Sequence, residues 1–175
     1  MIHIRNRQGK ANTQRGNPRF VDERLARVRR AGATGTILIR ADTGFENHKL
    51  FTTLDARGVE FSIGVKQRTP IRALIDLIPD ADWITLQDYP AGGEAQIAET
   101  KLHGWRLIAR RTRLTGTQAD LFPHWQYFAS ATNRTEPLLL IEAEHREHAV
   151  VELAIRDLKD QALAHLPSGQ FAARR

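Results

Sequence analysis

The 175-residue sequence predicts an α/β domain, and three observations carry that prediction. Two compact aliphatic runs, residues 36–40 and 59–65, alternate with amphipathic segments of helical spacing, residues 20–30 and 47–57. This order of helix, strand, helix, strand favours parallel pairing, because parallel strands need a crossover long enough to hold a helix. Over residues 82–134 the texture changes to short β-like runs broken by Gly, Pro and Asp, and afterwards it turns helical again. The expected organisation is a basic arm and short helix over 1–30 and an α/β core part over 31–81. A small β-rich insertion over 82–134 and a C-terminal helical part of the core over 135–175 complete it.

Each element has its own reason. Residues 3–19 are polar, basic and rich in Asn, Gln and Gly, and read as an extended arm. Phe20, Leu25 and Val28 then stand apolar among charges, and Ala31-Gly32-Ala33-Thr34-Gly35 ends that helix. Thr36-Ile37-Leu38-Ile39-Arg40 is a buried strand, and Asp42-Thr43-Gly44 sits where it must turn. Leu50, Phe51 and Leu54 mark the inward face of the second helix, which Gly58 stops. Residues 59–65 alternate as a strand does, and a short helix over 71–78 follows Pro70. The runs 83–86, 94–101, 105–112 and 125–130 are the strands expected of the insertion. From Pro137 the chain is helical, with Val151, Ile155, Leu158 and Ala162 on the buried face, until Pro167-Ser168-Gly169 breaks it.

Composition narrows the function classes. With no cysteine, disulfides, cysteine-ligated zinc and thiol catalysis are excluded. The longest aliphatic run, Leu138-Leu139-Leu140-Ile141, is too short to span a bilayer, and the first residues lack the apolar core of a signal peptide. A cytoplasmic protein with no membrane partner is expected. The net charge of +6 is unevenly spread. Residues 1–30 carry nine Lys or Arg against Asp22 and Glu23, a net of +7, so the rest holds 17 basic and 18 acidic residues, a net of −1. A basic arm on a nearly neutral body suits a phosphate backbone, since each cation at a phosphate releases condensed counterions; a plain solvated tail has the same composition.

Two places offer chemistry. On a helix, His145, His148, Glu152 and Lys159 step by three, four and seven residues and share one stripe. Two imidazoles, a carboxylate and a lysine on one edge present a metal-binding acid beside groups able to hold a phosphodiester, although a solvated charged face reads the same way. Asp42 directly follows an aliphatic strand, and the carboxyl ends of strands in open α/β sheets are where ligands gather. Its other reading is a turn-capping aspartate. Asp42 and Glu152, borne on separate elements, are the kind of pair that converges on Mg²⁺ for phosphodiester displacement. Glu142 and His145 form a Glu-x-x-His pair of di-iron type without a second copy, and His145 with His148 lack a third zinc ligand. Trp83, Trp105 and Trp125 read as core or edge packing, with stacking of one of them on a base as the lesser alternative.

Taken together, Ala11-Asn12-Thr13-Gln14-Arg15-Gly16, Arg40-Ala41-Asp42-Thr43-Gly44-Phe45, the stretch from His145 to Lys159 and Leu166-Pro167-Ser168-Gly169 resemble the DDE transposases of bacterial insertion sequences. The nearest group is the transposase DDE domain, group one, over essentially the whole chain. The resemblance implies a ribonuclease-H-like core, here partial, with a β-rich insertion before the final glutamate. It implies that Asp42 is the second catalytic aspartate and Glu152 the glutamate, both ligands of Mg²⁺ (or Mn²⁺). Lys159 matches the lysine that holds transposon-end DNA, and His145 and His148 stand where the wider superfamily carries tyrosine and arginine. The implied partners are double-stranded DNA at transposon ends and target DNA, gripped also by Arg5, Arg7, Lys10 and Arg15 of the arm, with a dimer on DNA in the intact enzyme. The implied reaction is strand cleavage followed by strand transfer. One departure stands out: only Asp22 precedes Asp42, and it lies in the charged segment 20–30, not on an aliphatic strand where the first catalytic aspartate belongs. The expectation is a truncated copy that does not cut DNA alone; a non-catalytic DNA-binding remnant is the alternative.

Overall fold

Four helices and six strands form among the residues described by the computed structural model, which are 17–87, 89, 92–115 and 124–147. In chain order they are α1 (Asn17–Arg30), β1 (Leu38–Ala41), α2 (His48–Ala56), β2 (Glu60–Gly64), α3 (Thr69–Asp76), β3 (Ile84–Thr85), β4 (Gly93–Leu102), β5 (Trp105–Leu114), β6 (Gln126–Thr132) and α4 (Leu138–Glu147). All six strands belong to one sheet of order β1-β2-β6-β5-β4-β3. The mixed α/β class expected from the sequence is what forms.

The first half follows from local signals. The Asn47 side chain accepts from the backbone N–H of Lys49 and Leu50, at 2.9 and 3.3 Å, and so starts α2. Leu50, Phe51 and Leu54, at i, i+1 and i+4, are its buried stripe. Gly58, at φ 62°, accepts the left-handed turn that leads the chain into β2. β1 and β2 pair in parallel, Leu38 opposite Glu60 through Ala41 opposite Ile63, with α2 as the crossover. Among the described residues β1 pairs with β2 alone, so it forms one margin of the sheet.

The stretch 82–134, expected as an insertion, supplies four strands of this same sheet. β6 runs antiparallel to β2, with Ser62 opposite Thr132 and Gly64 opposite Ser130, and it carries β5, β4 and β3 outward. β4 and β5 pair over ten residues each and close in a two-residue turn. His103 at φ 51° and Gly104 at φ 93° give that turn the twist a tight hairpin needs. No described helix is long and apolar enough to cross a membrane.

The alternation of side chains along the strands divides the molecule into two faces. On one, Val21 of α1, Leu50, Phe51 and Leu54 of α2, and Ile71 and Ile75 of α3 pack against Phe61, Ile63, Leu107, Ala109 and Ala131 of the sheet. The other face presents Ser62, Thr132, Ile97 and Ile108, and α4 lies against it through Ile141.

Charge fixes α4 there. The Arg134 side chain, only 6% exposed, bonds to Glu144 of α4 and donates to Glu136 at 2.9 Å, and its Nε lies 3.6 Å from Glu60 of β2. Glu144 also pairs with Arg40 of β1 at 3.7 Å. Burial disfavours the Arg134 charge, but the bonds to Glu136 and Glu144 outweigh that and raise its pKa above the ordinary arginine value. The same bond from Arg134 holds the Glu136 carboxyl below its ordinary pKa.

Replacing Arg134 by Ala is expected to cost about 2–3 kcal/mol in unfolding free energy, less than a fully buried pair because Glu136 and Glu144 keep roughly a third of their side-chain surface in water. A depressed carboxylate pKa contributes stability above its unfolded value and loses it as the pH falls through the folded one. Denaturant melts should therefore show wild-type stability falling in the acid range, and the Arg134→Ala fall should be shallower.

Candidate functional site

The two loops that leave the parallel strands create the site. β1 ends at Ala41, and Asp42 follows with extended backbone, its Oδ1 accepting from the Gly44 N–H at 2.9 Å to cap a 3-10 turn over Thr43–Phe45. The turn-capping reading of Asp42 is thus met in the structure. Its other oxygen has no hydrogen-bond partner among the described residues, and the side chain is exposed. Glu46, just beyond, accepts from the backbone N–H of Lys66 at 2.9 Å and pairs with Arg68 at 2.7 Å. This carboxylate stitches the loop after β1 to the loop after β2.

Gly64 makes the close approach possible. A Cβ there would meet the Thr43 backbone N and Cγ2, both at 3.1 Å, and the Asp42 carbonyl carbon at 3.4 Å. Any side chain at the last position of β2 pushes against the turn that holds Asp42.

Beyond Gly64 the β2 chain departs while β6 continues, and α4 crosses the same face. The gap is a cleft of about 470 Å³. Asp42 and Gly64 stand on one side, Phe128 and Ser130 of β6 and Arg110 of β5 form the floor and far wall, and Glu142, His145 and Arg146 come from α4. Lys66 completes the rim. The cleft thus holds three fixed cations against two carboxylates. Glu142 is 6% exposed, and its Oε1 lies 3.7 Å from the Nε of both Arg110 and Arg146. Its Oε2 is buried without a hydrogen-bond partner among the described residues. The Nδ1 of His145 and the Oγ of Ser62, buried on β2, share a hydrogen bond of 2.8 Å.

An acid at the end of a parallel strand thus lines one cleft with the late helix α4. Residues 2–173 match the family described as Transposase DDE domain. The chain belongs to the transposase DDE domain family. No curated protein matches it.

Set against this transposase domain, the sequence-predicted residues divide sharply. Asp42 and His145 line one cleft. Arg5, Arg7, Lys10 and Arg15 of the arm, and His148, Glu152 and Lys159 of the stripe, lie outside the described residues. Among the described residues no three His, Asp or Glu side chains are grouped to hold a metal. Asp22 is not in the cleft; it sits on α1 and bonds to Arg57.

Sequence reasoning missed Glu142 as a cleft residue, along with Arg110, Arg146, Lys66 and Gly64. Glu142 was visible only as half of an incomplete metal motif. Arg110 is one of four arginines on β5, and nothing local separates it from Arg106, Arg111 and Arg113. Those three are bound elsewhere: Arg106 to Glu99, Arg111 to Gln96 and Asp80, Arg113 to Glu94.

Gly64→Ala is expected to destabilise the fold by about 1–3 kcal/mol, the usual cost of overpacking. It should also displace the Gly44 amide resonance as the Asp42 cap is pushed aside. An unchanged melt and an unmoved Gly44 signal would show that the turn has room to spare.

Proposed function

We propose that this domain carries part of the DNA-transposition site of an insertion-sequence transposase, whose intact enzyme cuts and joins strands at transposon ends on a ribonuclease-H-like core. The observation that carries the reading is the meeting of Asp42, at the carboxyl end of β1, with α4 across one cleft. Strand-end acids facing a ligand crevice are a general property of open α/β sheets.

Asp42 and Glu152 are the residues that would hold Mg²⁺ or Mn²⁺. The exposed Asp42 carboxylate, with one oxygen unengaged among the described residues, is the hard oxygen donor these ions prefer. Bound there, such ions supply an activated water and stabilise the leaving oxygen. The protein's own groups do the rest. Lys66, Arg110 and Arg146 offset the charge of a phosphodiester entering the cleft. His145, steadied by Ser62, and His148 donate to phosphate, while Lys159 and the arm residues Arg5, Arg7, Lys10 and Arg15 add grip that does not depend on sequence. Double-stranded DNA at transposon ends and target DNA are the partners, engaged by a dimer in the intact enzyme.

Among the described residues the carboxylate set is one short. Asp42 and Glu142 are the cleft acids among the described residues, and Glu142 already faces two arginines. Asp22, engaged with Arg57, does not replace the first aspartate. The reading is therefore of a polypeptide that binds DNA and does not cut it unaided. A purely DNA-binding role is the second reading, favoured by the engagement of Asp42 as a turn cap.

Incubation of the full chain with end-bearing duplex DNA and Mn²⁺ should give a retarded complex and no nicks. Nicking abolished in Asp42→Asn would overturn the inactivity and uphold the acid. Nicking indifferent to Asp42→Asn would remove Asp42 from the chemistry, and no DNA binding at all would sink both readings.

A further inference from the structure

Arg110 and Arg146 differ from most arginines around the sheet; Arg40, 3.7 Å from Glu144, shares their looser pairing but approaches a different carboxylate. Arg106, Arg111, Arg113 and Arg134 each make charge-assisted hydrogen bonds of 2.7–2.9 Å to a fixed acceptor. Neither Arg110 nor Arg146 hydrogen-bonds to any described residue. Each instead stands 3.7 Å from the same oxygen of Glu142, close enough to attract and too far to bond. The guanidinium of Arg110 also lies over the ring of the half-exposed Phe128, 4.9 Å from its centroid, which restrains its plane. The second oxygen of Glu142 is buried with no partner among the described residues, in a wall of the cleft that holds Asp42.

We propose that Arg110 and Arg146 form a two-guanidinium clamp for one backbone phosphate of the DNA strand bound at Asp42, with Glu142 as the positioning residue that gathers them. This deepens the DNA-transposition reading and rests on it. Planar guanidinium forks match the paired oxygens of a phosphodiester, and forks not committed to protein acceptors are free to turn toward one. Without Glu142 two like charges on α4 and β5 would repel; its shared oxygen holds them to one point while leaving their N–H edges unsatisfied. A phosphate arriving there completes the bonds that the protein withholds. Lys66, Arg110 and Arg146 outnumber Asp42 and Glu142 in the cleft, which favours an anion beside the two guanidinium groups.

The test is the salt dependence of binding of a fluorescent duplex by the full chain. A cation lost from a phosphate lowers the slope of log affinity against log salt by about 0.9. Arg110→Gln and Arg146→Gln should each weaken binding and flatten the slope, by up to that amount apiece. Arg113→Gln, on the opposite face and paired with Glu94, should leave it unchanged. Glu142→Gln separates positioning from simple charge. Removing a negative charge alone tightens DNA binding, whereas loss of the gathering contact weakens it, and weakening is expected. Slopes unchanged in both arginine variants, or tighter binding by Glu142→Gln, would overturn the clamp while leaving DNA binding intact. No binding by the wild-type chain would overturn the clamp together with the reading beneath it.

Discussion

The buried guanidinium of Arg134 ties α4 to the sheet and so sets where the helix walls the cleft. Apolar contact through Ile141 would hold the helix down but let it turn or slide, since hydrophobic attraction has no direction. A guanidinium fork does have direction. By reaching Glu144 on the helix, Glu136 before it and the neighbourhood of Glu60 on β2, Arg134 ties three segments at one point. Arg106 extends the tie, donating to the backbone carbonyls of Arg134 and Glu136 at 3.1 and 2.7 Å. Buried ionic clusters are rarely efficient sources of stability, because desolvation opposes them, but they select one arrangement over its neighbours. Here the arrangement selected is the one that brings Glu142, His145 and Arg146 to face Asp42.

The second constraint is a difference in strand length. β2 stops at Gly64, whereas β6 runs on toward Gln126, and the Val65 N–H to Ala129 carbonyl bond is the last link between them. Past that point the floor of the sheet has a missing neighbour, and the loops carrying Asp42 and Lys66 fold over the vacancy. The late β strands are therefore part of the site's wall. Their hairpin is braced on its other face by Arg111, which lies over Trp83 and Trp125.

How much of this was readable in advance follows from distance along the chain. The α1–β1–α2–β2 order rested on local signals, the Asn47 cap, the Leu50, Phe51 and Leu54 stripe and the Gly58 stop, and the elements formed there. The strands around residues 93–102, 105–114 and 126–132 also announced themselves by composition, but their membership in the core sheet did not. That depends on Ser62 meeting Thr132 across seventy residues, which no periodicity encodes. Asp42 was legible because strand, acid and small residues are adjacent. Glu142 was not, because a glutamate one turn before a histidine on a helix looks like solvated surface until a sheet carrying Arg110 is laid beneath it.

All three tryptophans, Trp83, Trp105 and Trp125, lie with the α1–α3 side of the sheet, against Tyr127, Phe51, Phe61, Arg111 and Arg113. None borders the Asp42 cleft. Tryptophan fluorescence therefore follows chiefly the melting of the helical layer, and Trp83 reaches the cleft wall only through its contact with Tyr127. Occupancy there is better watched through the imidazole protons of His145, which lines that cleft.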